Sequence, residues 1–233
     1  MGKNMLRDHI LGREMLFRKI YYRHKNFWTK ERAASLLVGF AFMGVALVIQ
    51  GFADGYVNRI GGIPVGDLIL SNLPTFDVDF FIVQGALILT LVIVALVLFK
   101  PKNMPFVLKS LALFIIVRSF FISLTHLGIH PDQVILNPDA TGFWLYDILF
   151  NSKNDFFFSG HTGVPFLMSL VFWHEKEWRY IFLATSFVFG ISVLLGHMHY
   201  SIDVFAAPFI TYTIYKIAEH LFAKDHALAT QSL

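Results

Sequence analysis

The chain has 233 residues, of which 56% are hydrophobic and only 15% charged, with 26 Phe and no Cys, against roughly 25% charged in a soluble domain. That balance excludes a water-soluble fold as the first reading, and the missing cysteines exclude a disulfide framework or a thiol site. The formal net charge of +3 comes from Lys and Arg beside apolar runs, where membrane orientation puts them, so it gives no reason to expect a nucleic-acid partner.

Residues 1–32 form a basic segment carrying Lys3, Arg7, Arg13, Arg18, Lys19, Arg23, Lys25, Lys30 and Arg32. Within it Leu6, Ile10, Phe17, Ile20 and Tyr21 fall near one helical face that Arg13 interrupts, which predicts an amphipathic helix on the membrane surface. No cleavage site precedes the first apolar run, so that run reads as retained. Spans near the twenty residues that cross hydrocarbon are expected over Ala33–Ala53, Phe80–Phe99, Pro105–Leu127, Phe156–His174, Tyr180–Gly196 and Ile202–Phe222. Backbone in lipid must bond to itself, so each is expected to be a helix. The predicted fold is all-α: an N-terminal amphipathic interfacial helix within 1–32, a six-transmembrane-helix bundle over 33–222 and a tail over 223–233.

Lys100, Lys102, Lys176, Arg179 and Lys224 fall on the side of the basic N-terminal segment, whereas Arg59 and Lys153 are on the other. The positive-inside rule then makes both termini cytoplasmic. Two longer loops, about 54–79 and 128–155, would cover the outer face and shape an entrance for lipid. Short loops and the lack of a soluble domain suit a multi-pass protein of a bacterial inner (plasma) membrane.

Two polar clusters fall at that outer face: Ser159-Gly160-His161-Thr162 opening the fourth expected span, and His197-Met198-His199-Tyr200-Ser201-Ile202-Asp203 opening the sixth. Ionisable groups at the edge of a membrane bundle are costly, so their convergence points to function. His199 and Asp203 stand four residues apart, a spacing at which a carboxylate holds an imidazole in one tautomer. Such an imidazole can attack phosphorus while His161 protonates the departing oxygen and later activates the acceptor. Ser159 and Gly160 would sit at a helix N-terminus suited either to a phosphate oxygen or to an ordinary cap. Arg118, inside the third span, calls for an anion: Asp155, Asp203 or a substrate phosphate. His126 and His130 read as interfacial or loop residues. A metal held by His161, His197, His199 and Asp203 is the rival reading, but the spacing is not a zinc signature, so no metal or cofactor is expected.

At these residues the chain resembles the sphingomyelin synthase branch of the type 2 phosphatidic acid phosphatase superfamily. The segment from Asn154 to Thr162 is similar to that branch's Gly-Asp-Phe-x-Phe-Ser-Gly-His-Thr motif, and His199-Tyr200-Ser201-Ile202-Asp203-Val204 to its His-Tyr-Thr-Ile-Asp-Val motif. Asn154 and Ser201 depart from it. The phosphatases of the wider superfamily carry a Lys-x6-Arg-Pro motif, a Pro before Ser-Gly-His and an Arg six residues before the nucleophilic His, and this chain has none; position 193 is Val. The resemblance implies a metal-independent lipid phosphotransferase whose triad maps to His161, His199 and Asp203, with His199 as nucleophile; Asp155 and Tyr200, within the two segments, are candidate supporting residues. The expected reaction moves a phospho-headgroup from a membrane phospholipid to a ceramide or diacylglycerol-like acceptor. Water in place of the lipid acceptor would make the same site a phosphatase or phospholipase C-type hydrolase. A protein that binds or transports phospholipid without reacting is the third reading.

Overall fold

The structure, a computed structural model, describes residue 18 and residues 20–150 and 156–231; Leu6, Ile10 and Phe17 of the expected amphipathic helix, and Asp155, lie outside them. The described part of α1 covers residues 20–27. It leads into α2 (Lys30–Ile60), which starts where Thr29 Oγ1 accepts the Arg32 N–H at 3.3 Å and ends at Gly61, whose φ of +66° suits glycine. Then come α3 (Gly85–Phe99), entered through a π-helical turn at Phe80–Gln84, α4 (Met104–Leu124), α5 (Phe143–Phe150), α6 (Gly160–Val171), α7 (Lys176–Leu195), α8 (Ser201–Leu221) and α9 (Ala223–Thr230).

Among the described residues, four helical segments are long and apolar enough to cross a membrane: Lys30–Ile60, Phe80–Phe99, Pro101–Leu124 and Lys176–Leu195. They make this a polytopic membrane protein. The expected six-helix bundle is not supported, and the two missing spans fail for different reasons. Over Phe156–His174 the composition is apolar, but the backbone turns at Phe157 and Phe158, both at positive φ, and helix begins only at Gly160. The 12 residues of α6 rise about 18 Å, well short of a hydrocarbon layer of about 30 Å. The 21 residues of α8 have the length, but Asp203, Thr211, Thr213, Lys216, Glu219 and His220 dilute their hydropathy.

Packing explains which apolar faces turn inward. Gly39, Ala46, Ala53 and Val57 are the buried residues of α2, which packs against α4, while Leu37, Val38, Leu47 and Phe52 face outward. Small residues let two helices approach closely in lipid, where the gain is packing and not release from water. The short α6 is the centre: it packs against α7 and α8, and Leu167, Met168 and Phe172 join Phe106, Phe114, Phe158, Phe182 and Ile214 in the largest core cluster. Gly163 is required there, because a Cβ would lie 2.7 Å from the Phe114 ring and 3.0 Å from Thr211 Oγ1.

At the Lys100 end of the bundle α9 folds back. Asp225 accepts from Lys109 Nζ at 2.6 Å and from Ser35 Oγ at 2.6 Å, which ties α9 to α4 and α2 through a buried ion pair. Lys100 pairs with Glu175 nearby. At the opposite end the loops after α2 and α4 cross so closely that the Gly128 N–H donates to the Ile63 carbonyl at 3.0 Å.

Candidate active site

The site starts with the break between α7 and α8. Leu195 ends α7, His197 takes a φ of +50°, and α8 begins at Ser201. The Asp203 carboxylate caps its own helix: Oδ2 accepts the Tyr200 N–H at 3.1 Å and faces His199 Nδ1 at 3.3 Å. With Nδ1–H turned to the carboxylate, the other nitrogen of His199 keeps its lone pair. Asp203 is fully buried and His199 is 7% exposed.

The segment before α6 is tied to this corner through its backbone. The Ser159 N–H donates to the Asp203 carbonyl at 2.9 Å, and Ser159 Oγ accepts the Thr162 N–H at 3.4 Å, so the side chain serves as a helix cap. Gly160 opens α6 beneath the Arg118 guanidinium: a Cβ there would meet Arg118 Nε at 3.5 Å. Arg118 Nε in turn donates to the Phe158 carbonyl at 3.2 Å. His161, one residue on, lies 6.3 Å from Tyr146 and 6.0 Å from Phe189, ring centre to ring centre, and its Nε2 has no hydrogen-bond partner among the described residues. His199 and Arg118 are near enough for their charges to act on it. His161, Ser159, Gly160, Arg118, His199, Asp203 and Tyr200 thus gather where α4, α6 and α8 meet.

The outer loops complete the corner. Asp67 Oδ2 accepts the Ser201 N–H at 2.7 Å, and Oδ1 accepts the N–H groups of Ile69 and Leu70. Burial pushes the Asp67 carboxyl up, but the donors from Ser201, Leu70 and Ile69 outweigh it and hold the group below its ordinary 3.8. Tyr200 Oη donates to the Gly128 carbonyl at 2.9 Å and accepts the Val65 N–H at 3.2 Å. Tyr200 therefore fastens both loops and is not free to reach a substrate. Sequence reasoning missed Asp67; its only signal was the local Asp-x-Ile-Leu turn pattern, and its main partner is 134 residues away.

Against known families, residues 154–221 match the one described as PAP2 superfamily C-terminal. Over that stretch the chain is similar to the PAP2 superfamily, and the stretch carries both polar clusters of the site. Sphingomyelin synthase-related 1 of Caenorhabditis elegans is 25% identical over 247 residues, covering 94% of this chain and 50% of that protein. An uncharacterized protein of Methanocaldococcus jannaschii is 26% identical over 218 residues, covering 81% of this chain and 86% of its own length. The chain thus spans half the length of the Caenorhabditis protein. No solved structure matches it. The PAP2 match covers His161, His199 and Asp203, and with the buried histidine–aspartate pair it supports an enzyme of phosphotransfer or hydrolysis.

Proposed function

We propose that the protein transfers a phospho-headgroup from a membrane phospholipid to a lipid hydroxyl, of the ceramide or diacylglycerol kind, through a phosphohistidine at His199. The observation that carries this reading is the Asp203–His199 contact of 3.3 Å at the start of α8. It holds one ring nitrogen and leaves the other to attack. The name of the Caenorhabditis relative, related to sphingomyelin synthase, supports a lipid acceptor.

In the first half-reaction the free nitrogen of His199 forms a bond to phosphorus as the bond from phosphorus to the diacylglycerol oxygen breaks. His161, held neutral at rest because burial and then the His199 and Arg118 charges push its pKa down to about 3, takes up a proton when the anionic phosphate binds and gives it to that oxygen. Arg118 and the first backbone N–H groups of α6 stabilise the charge that gathers on the non-bridging oxygens. In the second half-reaction neutral His161 takes the proton of the acceptor hydroxyl, whose oxygen attacks phosphorus and releases His199. Asp203 keeps the imidazolium in place throughout and does not take its proton.

The same intermediate opened by water gives a hydrolase, and the match of residues 154–221 to the PAP2 superfamily C-terminal family, whose description names no acceptor, supports that as the second reading. Purified protein in liposomes, given labelled phosphatidylcholine, phosphatidylethanolamine or phosphatidic acid with and without ceramide, tests both. A head-group-bearing sphingolipid formed only with ceramide, and lost in His161→Ala and His199→Ala, is the expected result. Soluble phosphate or phospho-headgroup released regardless of ceramide would make it a hydrolase, and lipid binding without a trapped phosphohistidine would overturn the chemistry. The outer-face position of the site and the cytoplasmic termini belong to this proposal and are tested by labelling of engineered cysteines in intact cells.

A further inference from the structure

Outside that corner, two histidines meet that sequence spacing keeps apart. His130, in the loop between α4 and α5, and His197, in the turn between α7 and α8, bring their Nδ1 atoms to 3.3 Å with the rings nearly perpendicular. His197 is 3% exposed and His130 9%. The Asp132 carboxylate lies in the same group, the three ligand atoms falling within 4.8 Å of one another.

The hydrogen bonds around the pair set the tautomer of His197 and leave His130 Nδ1 two competing partners. His197 Nε2 is 3.0 Å from the Leu73 carbonyl, which can only accept, so that nitrogen carries the proton and Nδ1 carries a lone pair. His130 Nδ1 lies 3.2 Å from the Asp132 N–H, which it accepts only when it carries a lone pair. One lone pair cannot serve the Asp132 N–H and a metal at once, so ion binding would exchange the 3.2 Å contact for a bond to the metal, with the two Nδ1 atoms already 3.3 Å apart. Without an ion the pair is held by a proton on His130 Nδ1 donated to His197 Nδ1; with one, by a metal between them, and a carboxylate within reach favours the metal. Two ligands at the usual zinc–nitrogen distance on a tetrahedral centre stand about 3.3 Å apart. The Leu73 carbonyl then plays the orienting role that a metal-bound imidazole commonly has behind it.

We infer that His130, Asp132 and His197 form a divalent-metal site, with two nitrogen ligands and one carboxylate suited to zinc, that staples the loop after α4 to the turn before α8. The site is separate from the proposed chemistry: His199 turns to Asp203, and no step of the transfer passes through the ion. Its effect is positional, because the staple holds residue 197 two positions ahead of His199. Asp132 is exposed, which leaves the metal open to exchange with solvent.

Zinc titration of full-length protein, purified in detergent on an affinity tag without histidines and stripped with chelator, tests this, with cobalt as a spectroscopic substitute. One zinc per chain is expected for the unaltered protein and for His199→Ala, with visible ligand-field bands of a tetrahedral cobalt centre. His130→Ala and His197→Ala should lose stoichiometric binding, and the exposed Asp132→Asn should weaken it with the fold intact by thermal melting. Failure of the unaltered protein to bind stoichiometric zinc, as a shared proton would produce, overturns the inference. So does zinc binding that all three substitutions leave unchanged. Retained zinc binding with no lipid turnover would refute the proposed reaction and leave the metal site standing.

Discussion

The backbone N–H of Ser159 donates to the carbonyl of Asp203 at 2.9 Å, so one hydrogen bond joins the chain segments that carry His161 and His199. It is made by main chain alone, and side-chain substitutions at either residue leave it in place. The chemistry of each position can therefore be changed with the corner still assembled.

Asp203→Asn tests the charge. An amide oxygen still accepts the Tyr200 N–H and starts α8, but it no longer stabilises an imidazolium at His199. Turnover should fall by about 10²–10⁴-fold with little change in thermal midpoint. Loss of both together would mean that Asp203 serves only as a cap.

Ser159 is set as a cap by its 3.4 Å contact with the Thr162 N–H. Ser159→Ala should cost about 0.5–2 kcal/mol of stability. Ser159→Asp keeps a capping oxygen but buries a negative charge at a residue with no exposed surface, so it should lower the midpoint further and raise KM. An unchanged KM in the Asp variant would remove Ser159 from the phosphate site.

Asp67 predicts an acid limb. Its folded pKa lies below the unfolded 3.8, so the stability it adds is fully present above that value and is lost as pH falls through the folded pKa. The outer loop should release from Ser201 in that range. Hydrogen exchange at residues 65–71 as a function of pH reads the release, and Asp67→Asn should remove the pH-dependent part.

Lys109 and Asp225 form an ion pair in which each side chain is 8% exposed. Removing one partner leaves a buried charge, so Lys109→Met alone should lower stability by about 3–5 kcal/mol. Lys109→Met with Asp225→Leu should recover most of it. Thermal melts in detergent of the singles and the double decide the case.

The local part of the candidate site was legible. The i, i+4 relation of His199 and Asp203 and the capping role open to Ser159 follow from spacing, and both contacts form. Relations across the chain were not. His130 read as a loop residue because its partner is 67 residues away, and Lys109 passed unremarked inside an apolar run because Asp225 is 116 residues away. The helix count failed because hydropathy registers side chains and not backbone: Phe156-Phe157-Phe158 reads as the start of a span, yet two of its residues sit at positive φ. In α8 the length was right, but the run was too polar to count as a crossing helix.

The turn at Phe157 and Phe158 has a mechanical consequence. A bulky residue at a φ of 105° is strained and persists only where its surroundings over-determine it. Phe158 supplies the clamp, with no exposed surface and its ring edge-on to Phe114 at 5.4 Å. The Ser159-Gly160-His161 turn is therefore sprung, with its catch at the buried Phe114 ring in the core. Trimming that ring would let the turn relax and carry His161 out of register with His199, so sensitivity to mutation extends from the surface chemistry down into the apolar core.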